Sequence, residues 1–125
     1  MKEGRSQRDL CERTFQFAIQ IIKLCRILSK KSGIEQAVSK QLLRSGTSIG
    51  ANIEEGQAAQ SKADFVSKYS ISRKEARETH YWLRLLSESQ LVSEADVSCL
   101  LIECNELIAI LTAIVKKVQT TRKEV

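Results

Sequence analysis

The sequence predicts an all-α protein built as an antiparallel, up-down-up-down four-helix bundle. Its 125 residues hold no proline and only five glycines, too little turn chemistry for an all-β fold of that size. Apolar residues recur every three or four positions through four successive segments, the period of a helix with one buried face. The links between segments are about four to seven residues long, which makes consecutive helices antiparallel neighbours. A single domain, 1–125, accommodates all of this, with helices expected at about 6–30, 35–57, 62–89 and 94–118 and basic tails at both ends.

In the first segment Cys11, Phe15, Ala18, Ile22, Cys25 and Leu28 have the spacing of a buried face, and Leu10, Phe17, Leu24 and Ile27 form a second stripe beside it. Lys30, Lys31, Ser32 and Gly33 end the helix, with cations in the last turn and a glycine free to take a positive φ. The second segment carries Val38, Leu42, Ser45, Ile49, Asn52 and Ile53 along one face. Within it, R-S-G-T-S-I-G-A-N-I-E-E-G (44–56) is rich in small residues. As turn signals, Ser45–Gly46 and Gly50 would cut the segment into loops. As packing devices, two glycines one turn apart would let a neighbouring helix approach closely. They cost about 2 kcal/mol relative to alanine, yet the apolar spacing runs unbroken from Val38 to Ile53. An unbroken helix is therefore expected.

The third segment opens on Ser61 with Asp64 three residues later, a variant of the capping box. Phe65, Tyr69, Ser72, Ala76, Leu83 and Leu86 form its inward face, and Tyr81, Trp82 and Leu85 make an apolar patch to one side. Lys74–Glu78 and Arg84–Glu88 have the spacing of i,i+4 ion pairs. The fourth segment opens on Ser93, followed at the same interval by Asp96. Its core face is Val97, Leu100, Leu101, Cys104, Leu107, Ile108, Leu111, Val115 and Val118, while Ile102, Ala109, Ile110 and Ala113 occupy the other side. Three of the four segments thus carry more apolar surface than one bundle needs. Such surplus marks an interface, and homo-oligomerisation is its simplest use.

The net charge of +5 resides in the two ends, +2 over residues 1–8 and +3 over residues 116–125. Basic tails on a neutral body suit contact with polyanions such as RNA or DNA, with Lys2, Arg5, Arg8, Lys116, Lys117, Arg122 and Lys123 as the candidate contacts. Lysines and arginines at a helix C-terminus also simply complement its dipole. The N-terminus has no signal-peptide pattern. The longest apolar run, Leu107–Val115, is interrupted by Thr112 and is too short for a bilayer, so a cytoplasmic location without membrane contact is expected.

Catalytic constellations are not found. The one histidine, His80, has Arg77 three residues before it, so the Glu-x-x-His of di-iron bundles is missing. The four cysteines form no C-x-x-C pair, read as reduced core thiols, and have the wrong spacing for zinc. Gly46, Gly50 and Gly56 match no phosphate-binding loop. No enzyme activity, cofactor, metal or small-molecule substrate is expected. The polar residues that stand out are Arg44, Ser48, Asn52 and Glu55 on the second helix and Glu75 and Glu78 on the third. They read either as a shared binding site or as a network that fixes helix register. Trp82 reads either as an anchor for a protein partner or as part of the self-association surface.

The blocks at 44–56, S-K-A-D-F (61–65) and E-A-R-E-T-H-Y-W-L (75–83) resemble the bacterial four-helix bundle proteins, also called the 23S rRNA intervening-sequence protein family. The resemblance covers roughly residues 8 to 118. Many members have proline where this chain has Gly50, which suggests a branch with an uninterrupted second helix. The resemblance implies a small cytoplasmic bundle that assembles as a homopentamer, with no enzyme activity and no cofactor, and with a poorly defined molecular role. It places Arg44, Ser48, Asn52, Glu55, Gly56, Glu75, Glu78 and Trp82 in the family's motif blocks, as structural or interface residues. A related bundle, the accessory protein of diversity-generating retroelements, is basic and pentameric and binds nucleic acid and a reverse transcriptase. It supplies the alternative expectation of an accessory protein-interaction module.

Overall fold

The computed structural model describes residues 9–120 in full, and residues 2–8 and 121–124 by backbone alone. Four helices, α1 (Lys2–Ser29), α2 (Ile34–Gln57), α3 (Lys62–Glu88) and α4 (Glu94–Glu124), account for the fold, and no strand occurs among the described residues. Gly33, at φ 75°, makes the turn into α2. Ser61 caps α3 by accepting the Asp64 N–H at 3.0 Å, and Asp64 takes the Gln60 N–H in return at 3.3 Å. The entry to α4 differs: there the backbone carbonyl of Ser93 receives the Asp96 N–H. The α3–α4 link is made at Gln90, a non-glycine residue at φ 63°.

Each helix buries one stripe. In α1 it is Leu10, Thr14, Phe17, Ile21, Leu24, Cys25 and Leu28. This corrects the face expected from spacing, since Phe15 and Ile22 point outward. A run of apolar residues on both flanks of a helix satisfies two registers equally, and the polar Thr14 hid the true one. Thr14 fits the core because its hydroxyl donates back to the Leu10 carbonyl at 2.9 Å. The second helix is continuous through Gly46 and Gly50, both buried. A Cβ at Gly46 would stand 2.8 Å from Ile21 Cγ2, and one at Gly50 3.1 Å from Thr14 Oγ1. The small residues therefore let α1 lie close on α2.

Three of the four seams between neighbouring helices are tied by a buried bond from a side chain to the next backbone. Ser39 Oγ donates to the Cys25 carbonyl at 3.2 Å, Ser72 Oγ to the Ile49 carbonyl at 2.8 Å, and Cys104 Sγ to the Ala76 carbonyl at 3.2 Å. The fourth seam, between α1 and α4, is built differently. The two backbones approach far less closely than the other pairs. A groove of about 660 Å³ opens there over Phe17, Leu24 and Leu100. Long charged side chains bridge it: Arg13 grips Glu103 with Nε and Nη2, each at 2.6 Å, and reaches Glu106 at 3.0 Å.

The fourth helix is also more apolar than its longest uninterrupted run suggests. Between Glu94 and Thr120 it is long and apolar enough, by length and composition, to cross a membrane, with a mean hydropathy of 1.9 over a window only 28% buried. Counting only the uninterrupted run missed this, because Glu103 and Glu106 break the run without dispelling its hydropathy. A core helix passes the same test, and six of its residues do line the core: Val97, Leu100, Cys104, Leu107, Leu111 and Val115. Leu101, Ile108, Ile110 and Ile114 are half-buried against that core, while Ile102, at 63% exposure, and the exposed Ala109 and Ala113 are covered by nothing in the single chain.

Candidate functional site

The residues singled out in the second and third helices sort into three places. Arg44, Glu75, Glu78 and Trp82 form one cluster across the α2–α3 seam. The Arg44 guanidinium meets Glu75 at 3.2 Å and also pairs with Glu78, and the Trp82 indole N–H donates to the same Glu78 carboxylate at 3.1 Å. Glu78 is thereby engaged away from Lys74, so the i,i+4 pair expected there does not form. Arg84–Glu88 does form, at 3.0 Å on an exposed surface, where such a pair contributes little.

Ser48 and Asn52 do not bridge helices. The Ser48 hydroxyl donates to the Arg44 carbonyl at 2.6 Å and the Asn52 amide to the Ser48 carbonyl at 2.8 Å, both within α2. In a helix a short polar side chain finds the carbonyl four residues back before it finds a neighbour. The register is set instead by Ser45, Ser72 and Thr79, all buried: Thr79 Oγ1 lies 2.9 Å from Ser45 Oγ across the seam. Their signal was present in the sequence as small polar residues in register with the apolar face. Glu55 lies elsewhere, paired with Lys68 at 3.0 Å. Gly56 makes room for the Tyr69 ring, whose Cε1 would come within 2.6 Å of a Cβ there.

Of the candidate cations, Lys116 and Lys117 are exposed on the last turns of α4. The side chains of Lys2, Arg5, Arg8, Arg122 and Lys123 lie outside the described residues. The antiparallel order brings the N-terminal end of α1 and the C-terminal end of α4 to the same pole. The Arg13–Glu103–Glu106 clasp fixes that register, with α1 continuing to Lys2 and α4 to Glu124 on the same side of it. Sequence spacing gave no hint of the clasp, because its members are about ninety residues apart.

The exposed apolar residues outside the core fall into separate flanks. Phe15 and Ile22 lie on α1, at 58% and 40% exposure, and Leu43 on α2, three residues from Gly46. Ile102 on α4, with the exposed Ala109 and Ala113, forms another. Tyr81 and Leu85 on α3 make a third, with the Tyr81 ring edge-on to Trp82 at 5.1 Å between centroids.

None of the thiols is paired. Burial, then Glu103, pushes the Cys104 thiol up to about 12, and burial likewise raises Cys25. Tyr69 is also pushed up to about 12, chiefly by burial. These groups keep their protons when folded and lose them at lower pH when unfolded. Stability is therefore complete below about pH 9 and falls as pH rises toward 12. The urea midpoint should move steadily down over that range; a flat profile would contradict the buried thiol and phenol. A thiol reagent at neutral pH should label exposed Cys99 at once and Cys104 only on unfolding. The described residues contain no group of three or more His, Cys, Asp or Glu side chains able to hold a metal ion.

A family model described as 23S rRNA-intervening sequence protein matches residues 6–113. Among solved structures, the chain is similar to a protein of unknown function from the S23 ribosomal protein family of Bacteroides thetaiotaomicron VPI-5482. The two are 38% identical, with a TM-score of 0.79 over 86% of this chain and 98% of that one. No curated protein matches the chain.

Proposed function

Because the chain belongs to the 23S rRNA-intervening sequence protein family, and because its bundle leaves apolar flanks on α1 and α4 uncovered besides the one on α3, we propose that it is a non-enzymatic scaffold that self-assembles, as a homopentamer, and binds nucleic acid. The observation that carries this reading is the α4 flank around Ile102, Ala109 and Ala113. A helix this apolar and this uncovered needs a partner surface. A bilayer suits it poorly, since Glu106 stands on the same helix with its side chain 59% exposed, and a carboxylate in hydrocarbon is costly. A second copy suits it well, because the Phe15–Ile22 flank of α1 is a different surface. Two unlike surfaces pair head to tail, and a head-to-tail contact closes into a ring when its rotation permits. Unpaired thiols fit a reducing, cytoplasmic compartment.

Assembly multiplies charge. Each copy brings both of its basic ends to one pole, so a ring would gather Lys116 and Lys117 of every copy at one rim, where phosphates are attracted by counterion release. Light scattering of the native protein should give about five times the 14.1 kDa chain mass, and Ile102→Glu or Phe15→Glu should each reduce it to the single chain with helicity unchanged. A monomeric native protein would end the scaffold reading.

The exposed Tyr81 and Leu85 favour a second reading, an accessory module that docks a protein partner on α3. In that case the particle mass survives Leu85→Ala while the partner is lost.

A further inference from the structure

The outer face of α3 carries a stripe of cations that the core does not use, interleaved with Tyr81 of the third apolar flank. Lys74, Arg77, Tyr81 and Arg84 follow one another at intervals of three, four and three residues, so they share one side of the helix, and all four are exposed. Behind them Ser72, Ala76, Thr79, Leu83 and Leu86 are buried. The stripe is about 15 Å long, at 1.5 Å per residue. Arg73, half-buried, flanks it.

Little negative charge opposes these cations. Glu75 and Glu78 are turned aside to Arg44 and Trp82. The carboxylates of α4 nearest mid-helix, Glu103 and Glu106, are committed to Arg13 on α1. Among the described residues, only Glu88 pairs with the stripe, through an open pair with Arg84. The local field shows at His80, whose pKa is lowered by burial first and then by Arg84.

The aromatic member is held in place. Tyr81 is 56% exposed, yet its ring stands edge-on against Trp82, with 76° between planes. Trp82 is in turn fixed by its bond to Glu78, and Glu78 by Arg44. An exposed ring braced by its neighbour, among cations spaced along one helix face, is the arrangement that receives an unstacked base and its neighbouring phosphates. A duplex offers no free base face to Tyr81, whereas a single strand does.

We infer that the outer face of α3 is a binding platform for single-stranded nucleic acid, with Lys74, Arg77 and Arg84 following the phosphates and Tyr81 stacking on a base. The Arg44–Glu78–Trp82 cluster acts as its positioning frame. This inference rests on the nucleic-acid reading proposed above but assigns the contact to residues far from the chain ends.

The test is fluorescence anisotropy on the full-length protein, with labelled oligo-U RNA and oligo-dT DNA of roughly 20 nucleotides in about 50 mM salt. The double variant Lys74→Gln/Arg77→Gln should weaken binding at least tenfold and flatten the logarithmic salt slope by about 1.4, at about 0.7 per single-strand phosphate contact. Tyr81→Ala should weaken it by about tenfold with the slope unchanged. All three positions are exposed, and circular dichroism verifies that the variants remain folded. Binding of both oligomers supports the platform, and a preference between them identifies RNA or DNA as the ligand. If the α3 variants bind like the native protein while Lys116→Gln/Lys117→Gln does not, the platform is wrong and the nucleic-acid reading stands on the chain ends. Loss with the cation variant but not with Tyr81→Ala also overturns it, since the cations would then hold the phosphates with no base stacked on Tyr81. If the native protein binds neither oligomer, the platform is wrong, and failure to bind a duplex of the same length as well would end the nucleic-acid reading.

Discussion

Tyr69→Ala should lower the unfolding free energy by about 3–5 kcal/mol, the range for truncating a large buried aromatic residue. That is a large share of the roughly 5–15 kcal/mol that holds a domain of this size together. Tyr69 is the largest fully buried side chain. It stacks on Phe65 at 4.1 Å between centroids, lies over Gly56 where no Cβ intrudes, and receives the Gln57 amide on its hydroxyl at 2.6 Å. It therefore closes the pole where α2 turns into α3. Removing the ring leaves a void bounded by a rigid glycine wall that cannot collapse inward. Tyr69→Phe separates the two contributions, since it keeps the ring and leaves only the Gln57 bond unmade, at a cost of about 1 kcal/mol. Urea titrations at one fixed protein concentration measure both, because assembly would otherwise make the midpoint depend on concentration. An alanine variant within 1 kcal/mol of the native protein would show that Tyr69 is not the closing element.

The fold class is legible because its determinants are local. The absence of proline, the helical period of apolar residues and the Ser61–Asp64 cap are each readable within one or two turns. The buried face of α1 was less so: Phe15 and Ile22 mimic core residues, and only the opposing helix reveals that Ile21 and Thr14 face inward. The candidate site divides along the same line. Glu78 is surrounded in sequence by Lys74 and Trp82, and spacing alone favours the lysine. The structure gives it to Arg44, thirty-four residues away, because the α2–α3 seam brings a guanidinium within reach of both carboxylates. The Arg13 clasp has no sequence signature at all, since it depends on two helices that scarcely touch. Local periodicity reports which residues are buried; it says little about which long charged side chains meet across a seam.

Gly46→Leu should cost about 3 kcal/mol, near the upper end of what overpacking a core position costs, and should loosen α1 in particular. Even alanine meets an obstacle here, because its Cβ would approach Ile21 Cγ2, Cγ1 and Cβ at 2.8, 3.0 and 3.3 Å. Ile21 is fully buried and β-branched, so it has few rotamers to escape into. Alanine also gains about 1 kcal/mol of helix propensity over glycine, which offsets part of that clash. Leucine gains as much propensity and adds a branched chain that only separation of the helices can house. One turn on, Gly50 has the Thr14 side chain at 3.1 Å and the α1 backbone itself at 3.4 Å from a virtual Cβ, so α1 cannot tilt to relieve the strain at Gly46 without closing on Gly50. The readout is local as well as global. Cys25 lies in the same seam, buried, with its thiol directed at the Ser39 carbonyl, and it should become accessible to a thiol reagent in Gly46→Leu while Cys104, between α3 and α4, stays protected. Ala51→Leu, at an exposed position of the same helix, provides the control and should leave both stability and labelling unchanged. If Gly46→Leu unfolds at the native urea midpoint with Cys25 still protected, the small-residue stretch is not what sets the α1–α2 distance. If it behaves as expected, the stretch that first resembled a loop is the contact on which α1 is mounted.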